Sequence, residues 1–287
     1  MKLELQRFDD VDLFRAATTE FLYAHIEIYS HLYGLTRALT VEKMAAHGLW
    51  LARLHRAGVT CGVAAIAMPM AQRPLSVTDL DDEGAALVAT ALAADGPRLH
   101  AVIGSVDAAH RMALHLGCKV TERVRIGNHV LDRAPALPDC VGRMRAATPE
   151  DFELVLGWED AFVRECGLPY DRAAIVATVR ERLHGPAPLE WLWEVDGTPV
   201  AKTMARPMET LARIAQVYTP PEQRGQGYAG ALVGSVCAAL RERGCRLVFL
   251  STDMANSTSN GVYRRIGFRF VGQAVHLDLA PASRIIG

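Results

Sequence analysis

The stretch of this 287-residue chain best equipped for chemistry is QRGQGYAG, residues 223–230, where glycines at 225, 227 and 230 satisfy a GxGxxG spacing. Glycines so placed let a backbone approach a phosphate closely where a helix begins. A dinucleotide loop sets its first glycine directly at the end of the first strand of a parallel βαβ unit. Here Thr219 to Gln223, including two prolines, stand between, and an antiparallel hairpin precedes them. A Walker loop needs Lys followed by Ser or Thr, and neither dipeptide follows. Whichever cofactor it takes, a helix start offers unpaired amides and about half a positive elementary charge to a phosphate.

A second cluster follows in NSTSNGVYRRIG. On a helix starting near Asn256, Ser259 lies at i+3 and Tyr263 at i+7, so the three share a face. A phenol with a pKa of ~10 can donate a proton to a departing group as negative charge develops there.

Together these residues resemble the GCN5-related N-acetyltransferase (GNAT) superfamily. Its cofactor motif follows a strand and opens a helix: Arg or Gln, two residues, Gly, one residue, then Gly or Ala. Here that motif is Arg224, Gly225, Gln226, Gly227, Tyr228 and Ala229, continued by Gly230. The segment STDMANSTSNGVYRRIGF is similar to the second half of that superfamily's site, and full correspondence covers roughly residues 140–280. The resemblance implies acetyl-CoA as cosubstrate, no metal, and transfer of acetyl to a primary amine of a small molecule, peptide or protein in a ternary complex. It implies that main-chain groups of Val217 and Thr219 pair with the pantetheine amides. Asn256 and Ser259 then belong to the cofactor site, and Tyr263 is the acid that protonates the coenzyme A thiolate. A non-catalytic acyl-CoA sensor or scaffold is the alternative.

A lysine-like amine of pKa ~10.4 holds its lone pair free about one part in a few thousand at pH 7, so some group must take its proton. The strand at 210–218 has no internal carboxylate. Glu209 is the nearest acid and shares parity with Val217 if no bulge intervenes. Gln216 or Tyr218 orienting a water, and Glu165 or Asp171 around the GLPY segment, are the other candidates.

These groups need a scaffold, and the sequence predicts an α+β fold of two GNAT-like halves, each a mixed, mostly antiparallel sheet flanked by helices. In the second half, Thr148 caps a helix with Asp151 in its first turn, and a further helix spans 171–183. WLWEV, Asp196-Gly197 and TPVAKTMARPM form a hairpin. A strand at TLARIAQVY, the glycine loop, a helix ended by Gly244, a strand at CRLVFLST and a helix closed by Gly267 follow.

The first half repeats this order, with GLWLARLHRAGV against LEWLWEVDGTPV and LHLGCKV against RRIGFRF. It begins with a helical stretch at 11–30. The proline-rich segment 132–140 is the expected junction between a first domain, 1–135, and a catalytic one, 139–287. In the first half, DLDDEGAALVAT stands in the place of the glycine loop, and its carboxylates at 81–83 oppose a pyrophosphate; Ala113 stands where the second half has Tyr263. That half is expected to be non-catalytic.

Thirty-one Lys plus Arg against thirty-two Asp plus Glu give a formal charge of −1, so no basic field favours nucleic acid or an anionic membrane. No apolar run approaches the ~20 residues of a membrane span, and the first residues lack the order of a secretory signal. A cytoplasmic protein is expected, with oligomeric state open. Six scattered cysteines and ten dispersed histidines lack zinc or disulfide spacing.

Overall fold

The computed structural model of the chain describes residues 1–40, 49–67, 74–168, 170–185 and 187–281. They form two compact units. One comprises Met1–Asn128, Asp253–Ala255 and the stretch from Val271 onward; the other comprises His129–Thr252 and Asn256–Phe270.

The first unit runs β1 (Leu3–Phe8), α1 (Val11–Ala24), α2 (Ile26–Ala38), β2 (Trp50–Arg56), β3 (Val59–Ile66), β4 (Pro74–Val77), α3 (Asp82–Asp95), β5 (Ala101–Gly104), α4 (Val106–His115) and most of β6 (Cys118–Leu131). Its sheet takes the order β1-β2-β3-β4-β5, with β12 (Arg269–Pro281) next to β5. Val275–Asp278 pair antiparallel with Gly104–Ala101, which is why the C-terminal stretch joins this unit. The neighbours β4 and β5 are parallel, and β1, β2, β3 and β4 meet antiparallel. Leu54, Leu75, Val88, Val102, Met112 and Leu277 sit in the core with at most 1% exposure.

One helix was expected at 11–30; two are found, because the chain breaks at His25 (φ −119°, ψ 33°). The strand β1 was not anticipated, although Leu3 and Phe8 anchor it in the core.

The second unit contains β7 (Arg143–Ala146), α5 (Phe152–Glu165), α6 (Arg172–His184), β8 (Glu190–Val195), β9 (Thr198–Met208), β10 (Leu211–Tyr218), α7 (Tyr228–Glu242), β11 (Leu247–Asp253, to Thr252) and α8 (Ser257–Ile266). The sheet order is β11-β10-β9-β8-β7, with β10 and β11 parallel and the rest antiparallel. The fold is thus a mixed sheet with flanking helices, as the sequence predicted.

Local chemistry sets the element ends. Asp196 and Gly197 both take left-handed φ (48° and 78°), which gives the hairpin the twist of a primed turn. Thr148 and Asp151 form a capping box ahead of α5. Gly244, at φ 93°, ends α7.

Helix α7 lays Leu232, Val233, Val236, Cys237 and Leu240 against Ala212, Ile214, Val248 and Leu250 of the sheet. Each large aliphatic buried there contributes about 1.5–3 kcal/mol. Gly230 and Gly234 keep the outer side of α7 thin: a Cβ on Gly234 would lie 3.3 Å from Leu137, and one on Gly230 would lie 3.4 Å from Val262 of α8. On the opposite face of the sheet, α5 and α6 bury Val155, Leu156, Val179 and Leu183 with Leu192 of β8.

Candidate functional site

Strand β10 holds the site open. Its parallel ladder with β11 covers only Leu211–Arg213 against Leu247–Phe249, while β10 continues to Tyr218 and β11 to Asp253. Its antiparallel register with β9 shifts between Ala215 and Tyr218, and Gln216 there takes φ 53°. A bulge bends the strand that carries it. The end bearing Val217 and Thr219 therefore lies beyond the parallel register, on the edge where an extended ligand can add as a strand.

Beyond β10, the turn Pro221–Gln223 leads to Gly225 and Gly227, at φ 83° and 86°. L residues adopt that region at a cost of roughly 1–2 kcal/mol, which explains glycine at both positions. No side chain caps the 15-residue helix α7, so its leading amides are not satisfied by a cap, in keeping with an anion cradle. Tyr228 and Ala229, the first helical residues, are half-buried, and Gly230 is buried against Val262 and Pro138. The carbonyl of Gln226 accepts from Cys140 Sγ at 3.6 Å. The Oγ1 of Thr219 is buried without a hydrogen-bond partner, a polar atom that a bound ligand can satisfy. Left-handed glycines, an uncapped helix and an orphaned hydroxyl at the end of a diverging strand fit the pantetheine and pyrophosphate of coenzyme A.

Arg224 turns inward to its own loop. Its Nε donates to the Thr219 carbonyl at 2.9 Å, and its Nη2 meets Glu165 Oε2 at 2.6 Å. The Tyr218 hydroxyl donates to the other Glu165 oxygen at 3.1 Å. The last turn of α5 thus reaches the end of β10. Burial raises the Tyr218 phenol above its ordinary range, with Glu165 adding to the effect.

Tyr263 points from α8 into the core cluster and is 7% exposed. Burial pushes its phenol well above the ordinary value of 10; a hydrogen bond with the Ser259 side chain opposes the shift, and nearby Cys166 adds to it. Burial thus favours the neutral phenol over the phenolate. Asn256 caps α8, accepting from the Ser259 amide at 2.9 Å.

Glu209 is not brought to this site. It occupies the exposed turn between β9 and β10 at φ 58°, eight residues from Val217, or about 26 Å of strand. The parity argument fails as well, because the bulge inserts a residue between the two positions. Asp171 is a helix cap, accepting from the Ala174 amide at 3.1 Å. Of the carboxylates considered, Glu165 is the one held against a strand residue of the site.

Sequence reasoning missed a buried charge cluster behind the bulge. Lys202 is ion-paired to Glu159, Arg182 meets Glu190 at 2.6 Å and Glu159 at 3.4 Å, and all four residues are at most 3% exposed. Gln216 joins them, donating to Glu159 at 2.5 Å and accepting from Arg182. The cluster tethers the bulge residue to α5 and α6. One signal was available: α5 buries Val155, Leu156, Glu159, Asp160 and Val163, so Glu159 lies on its apolar stripe.

In the first unit, the corresponding helix start is closed by its own carboxylate. Asp81 Oδ1 accepts from the Gly84 amide at 2.8 Å, Asp82 pairs with Arg111 and Glu83 with Arg56. Ala113, at 2% exposure, packs into the core. Among the described residues no cluster of His, Cys, Asp or Glu suits a metal ion, and no helix is long and apolar enough to cross a membrane.

Solved structures share this architecture. An acetyltransferase of the GNAT family from Colwellia psychrerythraea is 13% identical, with 96% of this chain and 100% of that chain covered at a TM-score of 0.60. A GCN5-related N-acetyltransferase from Sphaerobacter thermophilus is 18% identical, with 96% and 95% covered at 0.63. A tandem GNAT protein from the clavulanic acid biosynthesis pathway is 16% identical, with 98% and 100% covered at 0.59. At such identities the structural overlap shows a shared fold and no more. Residues 154–268 match the acetyltransferase (GNAT) family. No curated protein matches the sequence significantly.

Proposed function

We propose that the chain is an acetyl-CoA-dependent N-acetyltransferase that passes acetyl directly to a primary amine at the second unit. The family match and the fold support acetyl transfer in general. The observation that carries the finer reading is the end of the parallel ladder at Arg213 and Phe249, beside an uncapped helix led by two left-handed glycines.

Acetyl-CoA, when bound, supplies an acyl thioester. The amides around Gly227 hold its diphosphate, and the main chain at Val217 and Thr219 pairs with its amides. Glu165, through Tyr218, accepts the proton of the acceptor amine. Tyr263, neutral in its buried setting, donates a proton to the leaving thiolate as charge develops there. In the first unit, Asp81 fills the position of the anion, so one coenzyme A binds per chain.

The second reading, an acyl-CoA sensor, draws on the distance of Glu209 from the site. Equilibrium titration with acetyl-CoA, followed by thiol release with a panel of amines, separates the two. Binding at one site per chain with turnover supports the enzyme; binding without turnover for any amine supports the sensor. Retention of no coenzyme A at millimolar concentration sinks both.

A further inference from the structure

The two faces of β10 differ. Ala212 and Ile214 are buried under α7, and beyond the bulge Val217 packs against the same cluster, whereas Arg213 and Ala215 ahead of the bulge are half-buried, as are Ser251 and Thr252 on β11. Arg213 points to the side away from α7, since side chains alternate along a strand. Phe249 is its neighbour in the parallel register, and Ser251 lies two residues on.

Arg213 is charged without an anion. Its Nη2 donates to Ser251 Oγ at 2.7 Å, while its Nη1 is enclosed without any hydrogen-bond partner. Burial alone lowers its pKa to about 10, with no carboxylate contributing. Other inward arginines of this unit are treated differently: Arg182 has Glu190 and Glu159, and Arg145 has Asp151 and Glu194. Arg206 stands directly opposite Arg213 on β9, and like charges facing each other across a strand pair repel. An unmet donor on an enclosed cation, with a second cation opposite, is costly to the free protein and is relieved by an anion.

Resting on the transfer reading above, we propose that the acceptor amine carries a carboxylate, and that Arg213, with Arg206 beside it, receives that carboxylate. Arg213 lies four residues, about 13 Å, from Val217 along the strand. An arginine side chain and a short carbon spacer in the acceptor together span that gap. Planar guanidinium and carboxylate groups meet in a two-bond fork, for which Nη1 is available. The acceptor class is thus a short amino acid with its amine and carboxylate at opposite ends.

The test compares γ-aminobutyrate with propylamine, which has the same carbon chain without the carboxylate, as acceptors with acetyl-CoA. The ratio of their kcat/KM values exceeds about tenfold in the wild type and falls by about tenfold or more in Arg213→Met, through KM, with Arg213→Lys between. A ratio is insensitive to partial loss of folded protein, and removing a half-buried cation that lacks a counter-ion is expected to preserve the fold. Calorimetric titration of γ-aminobutyrate in the presence of coenzyme A reads the anion site whether or not transfer occurs. Binding that weakens in Arg213→Met supports the site even if no amine is acetylated, an outcome that would overturn only the transfer reading. Equal use of both amines by the wild type, or a preference that survives Arg213→Met, overturns this proposal and leaves acetyl transfer standing.

Discussion

Replacing Lys202 by methionine removes one of two cations from a cluster whose four charged members are each at most 3% exposed. Two glutamates then face Arg182 alone, which leaves a buried negative charge without compensation. Breaking such a pair costs about 3–5 kcal/mol, against a total stability of about 5–15 kcal/mol. At about 2–4 °C per kcal/mol for a domain of this size, the melting point of the second unit falls by roughly 6–20 °C. Adding Glu159→Gln to Lys202→Met restores charge balance, with Arg182 and Glu190 left as a pair. The double variant is therefore more stable than Lys202→Met, with a coupling of about 2–4 kcal/mol. Tryptophan fluorescence during urea unfolding measures this, because Trp158, Trp191 and Trp193 lie in the second unit and only Trp50 in the first. Additive costs, or a Lys202→Met cost under about 1 kcal/mol, would refute the view that these charges hold one another.

Tyr263→Phe lowers kcat by about a hundredfold or more while the dissociation constant for coenzyme A holds, as stopped-flow turnover and calorimetry will read. Gly227→Ala costs only about 1–2 kcal/mol of stability, since a Cβ there meets nothing nearer than Cys140 Sγ at 4.0 Å, yet the strained loop weakens coenzyme A binding in a titration. In the first unit, burial holds the folded-state pKa of His276 below the ordinary 6.5, so the unfolded chain binds that proton more readily. Its contribution is full above pH ~6.5 and is lost as pH falls below it; His276→Asn flattens the slope of stability below about pH 6.5.

Signals for the cofactor loop are local, which is why they could be read: Gly225 and Gly227 each announce a left-handed residue, and Asn256 and Gly267 mark the ends of α8. Asp196-Gly197 likewise fixes its hairpin from two residues alone. The bulge had no such marker, because Gln216 is not a residue type that advertises φ 53°. Without it, strand parity placed Glu209 on the wrong footing. The charge cluster joins partners 43 and 57 residues apart, Lys202 with Glu159 and Gln216 with Glu159, and no local pattern pairs them. The orphaned nitrogen of Arg213 depends in the same way on what the fold fails to bring near it.

Because the strand from Val271 belongs to the first unit, translation order and folding order diverge. The ribosome releases Met1–Asn128 early, yet that part must wait for Val275–Asp278 before its sheet is complete, and a pairing so distant in sequence forms slowly. A nonsense mutation near codon 271 would spare the glycine loop and injure the opposite end of the polypeptide.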